Sequence, residues 1–265
     1  MNVENKVIWL TGASSGIGEA LSYALAHRGA KLILSSRRIE ELERVKSDCP
    51  NPAQQNIAIL PLDLADSDGL DEATKKAIQA FGHVDILINN GGVSQRSLGK
   101  DTDLEVDRRI MEINYFGSVA LTKYLLPHFL ERKQGHFVAV SSLVGKFGTP
   151  YRSAYSASKH ALHGFYDSLR AELFKDNIDI TIICPGFIHT NVSVNALTGS
   201  GEALNEMDDA HANGMPADVF ALKMIKAIET KKREVYIGGK EKFGVLLKRF
   251  FPGKFAKVIQ KAKVR

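Results

Sequence analysis

The chain has 265 residues, of which 44% are hydrophobic and 25% are charged, and these proportions are ordinary for a soluble globular protein. They exclude a disordered or collagen-like chain, and two cysteines are too few for a disulfide-stapled secreted scaffold. The net charge of +5 is uneven, because residues 240–265 carry +8 and the rest of the chain carries −3. The N-terminal MNVENKVIWLTG lacks the pattern of a signal peptide, and no run is long enough to span a membrane, so we expect a cytoplasmic protein.

Short aliphatic and β-branched runs alternate with amphipathic helical patterns along the chain. The runs predict seven strands, at residues 6–12, 31–36, 57–62, 84–90, 135–142, 178–184 and 233–238. Alternation at this spacing predicts right-handed βαβ units. The predicted fold is therefore α/β, a single Rossmann-type doubly wound domain with a seven-stranded, mainly parallel sheet flanked by helices on both faces.

Two segments interrupt this alternation. Residues 187–215 form a long polar segment after a strand, which predicts a functional loop within a nucleotide-binding domain of residues 1–239. Residues 240–265 form a basic amphipathic extension that Pro252 and Gly253 divide into two short helices. The extension either lies on an anionic membrane surface or packs on the body or a partner subunit, and the sequence favours the second alternative. It contains no nucleic-acid reading motif, so we expect no nucleic acid partner.

A glycine-rich turn, TGASSGIG, joins the first strand to the first helix. Gly12 allows the tight turn, Gly16 lets the backbone approach a pyrophosphate, and Gly18 permits close packing of helix and strand. The phosphates would lie at the helix N-terminus, where free N–H groups favour negative charge. We therefore expect nucleotide contacts along the turn, from Ser14, Ser15 and Ile17 as well as from the glycines.

The second strand ends at LSSRR. In dinucleotide-binding folds an acid at this point binds the ribose hydroxyls of NAD, whereas an arginine accommodates the 2′-phosphate of NADP. Ser36 occupies the strand tip, and Arg37 and Arg38 follow it. Two guanidinium groups at a helix N-terminus oppose the helix dipole, so binding a phosphate explains them better than exposure to solvent. The sequence therefore predicts NADP(H) as the cofactor.

Tyr155 and Lys159 lie four residues apart in a helical pattern and so share one face. A nearby ammonium group favours phenolate and lowers a tyrosine pKa, which suits a general acid in reduction and a general base in oxidation. Ser142, at the end of a strand, is placed to bring a hydroxyl to the same carbonyl oxygen. Together the three side chains predict proton transfer to or from a substrate oxygen.

These motifs, taken in order, resemble the short-chain dehydrogenase/reductase family along nearly the whole chain. The matching elements are TGASSGIG, Asp63-Leu64, NNGG at 89–92, Asn114, Ser142, YSASK and Pro185-Gly186 with Thr190. The family usually has NNAG where this chain has Gly91, a change that should not abolish cofactor binding.

The resemblance implies a role for each matching position. Ser142 would polarise the carbonyl, Tyr155 would donate the proton, and Lys159 would bind the nicotinamide ribose. The backbone carbonyl of Asn114 would hold a water in a proton relay. The resemblance also implies cofactor contacts by Asp63 and Leu64 at the adenine, Asn90 and Gly91 on the adenosine side, and Pro185, Gly186, Ile188 and Thr190 around the nicotinamide, with Thr190 at the carboxamide.

Residues 94–98, 126–135 and 157–165 resemble the dehydrogenase/reductase member-seven branch, which reduces lipophilic carbonyls such as steroids and retinoids and usually has an N-terminal membrane anchor. No anchor is apparent in this sequence. The resemblance implies an NADP(H)-dependent oxidoreductase that interconverts a carbonyl and a secondary or primary alcohol. The alternatives are a 3-oxoacyl thioester reductase and a non-catalytic NADP-binding regulatory protein. The family commonly pairs the helices bearing Asn114 and Tyr155, so a homodimer or homotetramer is expected.

A few further side chains have uncertain roles. Phe147 and Tyr151 are predicted to line the substrate pocket. Arg96 and Arg152 either contact an anionic substrate or are solvated at the surface, and the second alternative is the prediction for each. Cys184 is predicted to be a small core residue. Neither cysteine has a metal-ligand spacing to histidine, so no metal site is expected.

Overall fold

A parallel sheet of seven strands forms the centre of the computed structural model, which describes residues 2–262. The strand bounds are Val7–Thr11 (β1), Lys31–Ser35 (β2), Ile57–Ile59 (β3), Ile86–Asn89 (β4), Gly135–Val140 (β5), Ile178–Pro185 (β6), Ile188–His189 (β7), Met215–Pro216 (β8) and Glu234–Ile237 (β9). The large sheet has the order β3-β2-β1-β4-β5-β6-β9 with every pair parallel, and β7 pairs with β8 separately. The predicted fold class is therefore confirmed.

Helices cover both faces of this sheet. Their bounds are Gly16–Ala26 (α1), Ile39–Ser47 (α2), Asn51–Gln54 (α3), Gly69–Phe81 (α4), Leu104–Met111 (α5), Gly117–Arg132 (α6), Ser153–Glu172 (α7), Asp209–Ala212 (α8), Ala217–Glu229 (α9), Phe243–Phe250 (α10) and Pro252–Ile259 (α11). Leu21 of α1 and Met224 of α9 pack in one core layer, whereas Leu125 of α6 and Tyr166 of α7 pack in the other.

Strand β1 shows why the strand sequences are apolar throughout. Ile8 and Leu10 point into one core layer, and Val7 and Trp9 point into the other. All four side chains are fully buried, because successive residues of a strand face opposite sides of a sheet that helices cover on both sides. Parallel strands also place all their carboxyl ends at one edge, where the functional residues gather.

A π-helical turn, Glu112–Phe116, joins α5 to α6 and contains Asn114. The N–H of Gly117 donates to the carbonyl of Glu112, five residues earlier, instead of the usual four. Such turns often occur at functional sites. The predicted helix around Asn114 therefore departs from α geometry at that residue.

The loop at 187–215 and the extension carry short elements of their own. The loop contains β7, α8 and β8, and the extension forms α10 and α11 on either side of Phe251. Met1 and residues 263–265 of the predicted segments lie outside the described residues, and the division at residue 239 stays a prediction. Within residues 2–262, no helix combines the length and apolar character that crossing a bilayer requires. The cytoplasmic location likewise stays a prediction.

Candidate active site

A cavity of about 1170 Å³ lies at the carboxyl ends of the strands. Of the residues predicted from the sequence as catalytic or cofactor-binding, all but Gly18 and Asn114 line it. The topology therefore brings together residues from position 12 to position 190.

The glycine turn packs too tightly for side chains at its glycines. A Cβ atom at Gly12, where φ is +66°, would lie 2.7 Å from the Cα of Gly91, and one at Gly18 would lie 2.1 Å from the carbonyl oxygen of Gly12. Gly16 begins α1 with φ +57°, and a Cβ there would crowd Thr190 at 3.1 Å. The glycines thus leave the backbone N–H groups accessible at the N-terminus of α1, as pyrophosphate binding requires. The residues present fit a dinucleotide.

Asn90 holds this turn in place. Its side-chain amide donates to the carbonyl oxygens of Thr11 and Gly12, at 3.0 and 3.2 Å. The Thr11 hydroxyl oxygen accepts from the backbone N–H groups of Asn90 and Gly91, at 3.1 and 3.0 Å. The Asn90 side chain therefore holds the glycine turn in its conformation. Its predicted contact with adenosine stays a prediction.

The two arginines predicted from LSSRR line the cavity, at the end where the adenosine is predicted to bind. The Arg38 guanidinium donates to the Ser14 hydroxyl at 3.2 Å, and the Arg38 N–H donates to the Ser36 hydroxyl oxygen at 3.2 Å. Arg37 lines the same region. Arg38 is thus held against the glycine turn, next to Ser36, at a position where a carboxylate would repel a phosphate.

Asp63 and Leu64 follow β3 and line the cavity near these arginines. The Asp63 carboxylate accepts from the N–H of Ala65 at 3.0 Å, which fixes the turn after the strand. Leu64 also packs against the glycine segment, because a Cβ on Gly91 would lie 2.6 Å from its Cδ1 atom. Gly91 thus leaves room for Leu64 where the family usually has alanine.

Ser142 and Tyr155 lie together at the opposite end of the cavity. Ser142 caps a short 3₁₀ turn, and its hydroxyl oxygen accepts from the N–H of Val144 at 3.3 Å. Gln95, which sequence reasoning missed, accepts from the N–H groups of Ala154 and Tyr155, at 2.9 and 3.3 Å. A buried glutamine from a distant segment therefore fixes the first turn of α7, which bears the phenol.

Lys159 lies one turn after Tyr155 on α7 and is 4% exposed. Its ammonium group donates to the carbonyl of Val140 at 2.9 Å and lies 5.7 Å from the centre of the Tyr155 ring. Burial lowers the pKa of Lys159 to about 8. Lys159 is therefore anchored to the end of β5.

The phenol of Tyr155 has a raised pKa, and burial is the main cause. Contact with the Ser142 hydroxyl acts in the opposite direction, as do the positive charges of Arg96 and Arg152. The lowered pKa predicted from the spacing to Lys159 is wrong for this arrangement, because desolvation outweighs the nearby positive charges. The phenol is therefore protonated at neutral pH, the form that a proton donor needs, while the raised pKa makes it a weaker acid.

Asn114 is fully buried and ties the catalytic segments together. Its side chain donates to the carbonyl of Val93 at 2.9 Å and to the Ser158 hydroxyl at 3.1 Å, and it accepts from the N–H of Val93 at 2.8 Å. Its backbone carbonyl accepts from the Ser118 hydroxyl at 3.1 Å and retains a second lone pair. The expected water at that carbonyl stays a prediction.

Pro185, Gly186, Ile188 and Thr190 line the cavity, and their contacts with the nicotinamide stay a prediction. The carboxylate of Glu241, from the extension, accepts from the N–H groups of Phe187 and Gly239 at 3.2 and 2.8 Å. This contact attaches the extension to the cavity wall.

The prediction that Arg96 and Arg152 are solvated at the surface is wrong. They are 3% and 4% exposed and line the cavity. The Arg96 guanidinium donates to one oxygen of Asp208 at 2.7 and 3.0 Å, and Arg152 lies 3.6 Å from the same oxygen. Although burial acts to raise it, hydrogen bonds from His211 and Arg96 hold the pKa of Asp208 well below its usual range. No local sequence pattern predicts this pairing, because the arginines lie 112 and 56 residues from Asp208.

His163, Cys184 and Glu234 form a cluster in which the histidine and the cysteine are buried and the glutamate is partly buried. Their ligand-type atoms lie within 4.8 Å of one another. However, Glu234 is paired with the Lys146 ammonium at 2.8 Å, and burial raises the pKa of the Cys184 thiol far above its usual range. Cys184 is fully buried, which confirms its predicted place in the core.

Apolar side chains form the outer part of the cavity. Phe147 lines it, as predicted, but Tyr151 is not among the lining residues of the described chain. Phe255 of the extension packs on Phe147 with their ring centres 5.1 Å apart. The extension thus completes the wall of a mainly apolar chamber next to Tyr155.

The sequence and fold match known proteins over most of the chain. The family model of short chain dehydrogenases matches residues 6–200. A dehydrogenase/reductase SDR family protein 7-like of Anopheles gambiae is 47% identical over 241 residues, covering 89% of this chain and 76% of the relative. Dehydrogenase/reductase SDR family member 7B of Mus musculus is 43% identical, covering 97% of this chain and 81% of the relative. A solved short-chain dehydrogenase from Streptomyces avermitilis is 27% identical with a TM-score of 0.81, covering 97% of this chain and 96% of its own. The chain belongs to the short-chain dehydrogenase/reductase family of oxidoreductases.

Proposed function

We propose that the protein is an NADP(H)-dependent oxidoreductase that interconverts a lipophilic carbonyl compound and its secondary or primary alcohol. The observation that carries the cofactor preference is Arg38, whose guanidinium is held at 3.2 Å by Ser14 of the glycine turn. An arginine in this place matches the geometry and charge of a 2′-phosphate. NADPH supplies the hydride when bound, and the protein supplies positioning and the proton.

The proton arrangement supports reduction at neutral pH. The Tyr155 phenol is protonated at neutral pH and can donate its proton to the developing alkoxide. The Ser142 hydroxyl is the second donor that reaches the same oxygen. After transfer, the buried positive charges of Arg96, Arg152 and Lys159 stabilise the phenolate.

The chamber beside Tyr155 supports a lipophilic substrate. Its walls include Val144, Phe147, Leu197, Leu247 and Phe255. Apolar pockets with a few convergent polar groups are typical of small-molecule sites. A bulky apolar ketone or aldehyde fits this composition better than a small polar one.

The test follows NADPH and NADH oxidation with a panel of ketones, aldehydes, quinones and oxoacyl thioesters. We expect turnover with NADPH, and we expect Tyr155→Phe to lose roughly 10²- to 10⁴-fold in kcat while still binding NADPH. Tyr124→Phe is the matched control, because Tyr124 is 41% exposed on α6. It should keep wild-type rates.

Two other results would point to the alternatives. Highest kcat/KM for an oxoacyl thioester would favour a 3-oxoacyl thioester reductase. Tight NADPH binding without turnover of any substrate would favour a non-catalytic regulatory protein.

Self-association is proposed through the helices α5 and α6. Leu104, Phe116 and Leu130 are large apolar residues that these helices and the turn between them leave 38–60% exposed. Such a surface suits pairing with a second copy of the chain. Light scattering that shows a dimer or tetramer, and a monomer for Phe116→Ser, would support it.

A further inference from the structure

The two helices of the extension leave a row of large apolar side chains in solvent. Phe243, Leu246 and Phe250 are spaced three and four residues apart on one face of α10 and are 59%, 54% and 67% exposed. Phe251 and Val258 continue the row at 55% and 56% exposure. We call these five residues the apolar rim. Soluble proteins rarely expose so many adjacent apolar side chains without an interaction that covers them.

The body of the protein fixes the direction in which the rim points. Phe255 is 5% exposed and packs on Phe147, while the Glu241 carboxylate accepts from the N–H groups of Phe187 and Gly239. Helix α10 contains no buried residue, so it is attached only by its partly buried positions and by its packing on α11. The contacts of Phe255 and Glu241 therefore hold the extension on the body, and the side chains of the apolar rim stay exposed to solvent.

Basic side chains surround the apolar rim. Residues 240–262 contain seven lysines and arginines and one acid, Glu241. The ammonium groups of Lys242, Lys248 and Lys254 lie 5.2–5.8 Å from phenylalanine ring centres within the extension. In this arrangement apolar side chains lie between lysines, and the aliphatic parts of the lysines run along phenylalanine rings. It is typical of a protein surface that binds at the boundary between lipid headgroups and acyl chains.

The same residues border the mouth of the cavity. All five residues of the apolar rim line the cavity that also contains Tyr155. Any partner surface that covers the apolar rim therefore also lies against the entrance of the cavity.

We propose that the apolar rim inserts into the surface of an anionic lipid bilayer, so that the cavity opens toward the membrane and takes its substrate from the lipid. The inference that the substrate enters from the lipid rests on the proposed function, whereas the inference that the protein binds a membrane does not. The flanking positive charges are complementary to anionic headgroups. A second copy is a poorer occupant, because a symmetric contact through this face would bring its basic side chains against their own counterparts.

The test measures pelleting of the full chain with vesicles of phosphatidylcholine and phosphatidylserine in a 70:30 ratio, without cofactor or substrate. We expect wild-type protein to pellet at low salt, to bind at least tenfold more weakly to pure phosphatidylcholine, and to weaken as salt rises. The double variant Phe250→Ser with Phe251→Ser should bind at least tenfold more weakly. Phe174→Ser is the matched control, because Phe174 is 74% exposed beside Lys175 on the body, and it should pellet like wild type.

A second variant separates loss of insertion from loss of folding. Lys254→Glu with Lys257→Glu keeps every residue of the apolar rim and should still weaken binding to the anionic vesicles at low salt. Near-ultraviolet circular dichroism checks that each variant is folded. Wild-type protein that stays in the supernatant would overturn the inference, as would serine variants that pellet unchanged. A dimer that the serine variants dissociate, with no vesicle binding, would also overturn it in favour of a second copy. Because no turnover is measured, an inactive protein that binds vesicles would fail only the proposed function.

Discussion

One carboxylate oxygen of Asp208 accepts two hydrogen bonds from the Arg96 guanidinium, at 2.7 and 3.0 Å, although 112 residues separate them. Asp208 belongs to the loop at 187–215, and Arg96 follows the strand that carries the Asn90 turn. The pair therefore fastens the loop over the substrate end of the cavity. Its side chains are 2% and 0% exposed, so water does not weaken the contact.

Removal of the Asp208 charge should destabilise the fold. In Asp208→Asn the buried guanidinium of Arg96 loses its counter-charge, and breaking a buried ion pair typically costs about 3–5 kcal/mol. Urea denaturation should show a drop of this order in the free energy of unfolding. The control Glu105→Gln removes an ion pair to Arg108 whose side chains are 79% and 64% exposed, and it should change little. Equal stability of both variants would refute the fastening role.

Strong acid should remove the stabilisation that this contact provides. The folded-state pKa of Asp208 lies well below its usual range, so the unfolded chain binds the proton more readily. The stabilisation by Asp208 is therefore complete above its ordinary pKa of about 4 and is lost as the pH falls below that value. Urea midpoints measured from pH 7 to pH 3 should decline less steeply in Asp208→Asn than in wild type. Parallel profiles would contradict this assignment.

The activity of the enzyme should decline in mild alkali. Burial lowers the pKa of Lys159 to about 8, so above that pH its ammonium group no longer stabilises the Tyr155 phenolate left by proton donation. For reduction, kcat/KM should fall by about tenfold per pH unit above pH 8, because this ratio reports the free enzyme. Lys159→Arg should move the decline to higher pH, whereas Lys123→Arg on α6 should not. An unchanged alkaline limb in Lys159→Arg would argue against this role.

Cofactor preference should depend on Arg38. Replacement by aspartate removes a charge-assisted contact to the 2′-phosphate worth about 1.5–3 kcal/mol and adds repulsion, so KM for NADPH should rise roughly 10- to 100-fold or more. KM for NADH should rise little or fall. The same change of charge at Lys100, an exposed residue away from the cavity, is the control. Equal losses with both cofactors would show that Arg38 serves the fold instead.

Gly18 should tolerate no side chain. In Gly18→Ala the new Cβ would lie 2.1 Å from the Gly12 carbonyl oxygen, which is backbone and cannot move aside. Overpacking of this kind typically costs about 1–3 kcal/mol, and NADPH binding followed by fluorescence should weaken with it. Gly148→Ala is the control, since nothing lies within 4 Å of a Cβ there. A Gly18→Ala protein with wild-type affinity would refute the packing argument.

The local pattern of the sequence predicted most of the framework. All seven strands of the large sheet appear where aliphatic runs stand. Strand β3 ends at Ile59 and not at 62, although the N–H groups of Leu60 and Leu62 still donate to the carbonyls of Leu34 and Ser36. The local sequence pattern does not predict contacts between segments that are far apart along the chain. Gln95 supports α7 from 59 residues away, and neither residue type nor spacing indicates that pairing. The same holds for Arg96 with Asp208. In the sequence both resemble ordinary surface charges, and only the folded position of the loop at 187–215 brings them together.

The position of the extension after the edge strand of the sheet has an evolutionary consequence. The glycine turn follows β1 in the middle of the sheet, whereas the extension follows β9 at its edge. Mutations that reshape the outer chamber through Leu247 or Phe255 therefore leave the nucleotide cradle untouched. Duplicated genes for such a protein can diverge in the compounds they process while they keep one coenzyme and one chemical step.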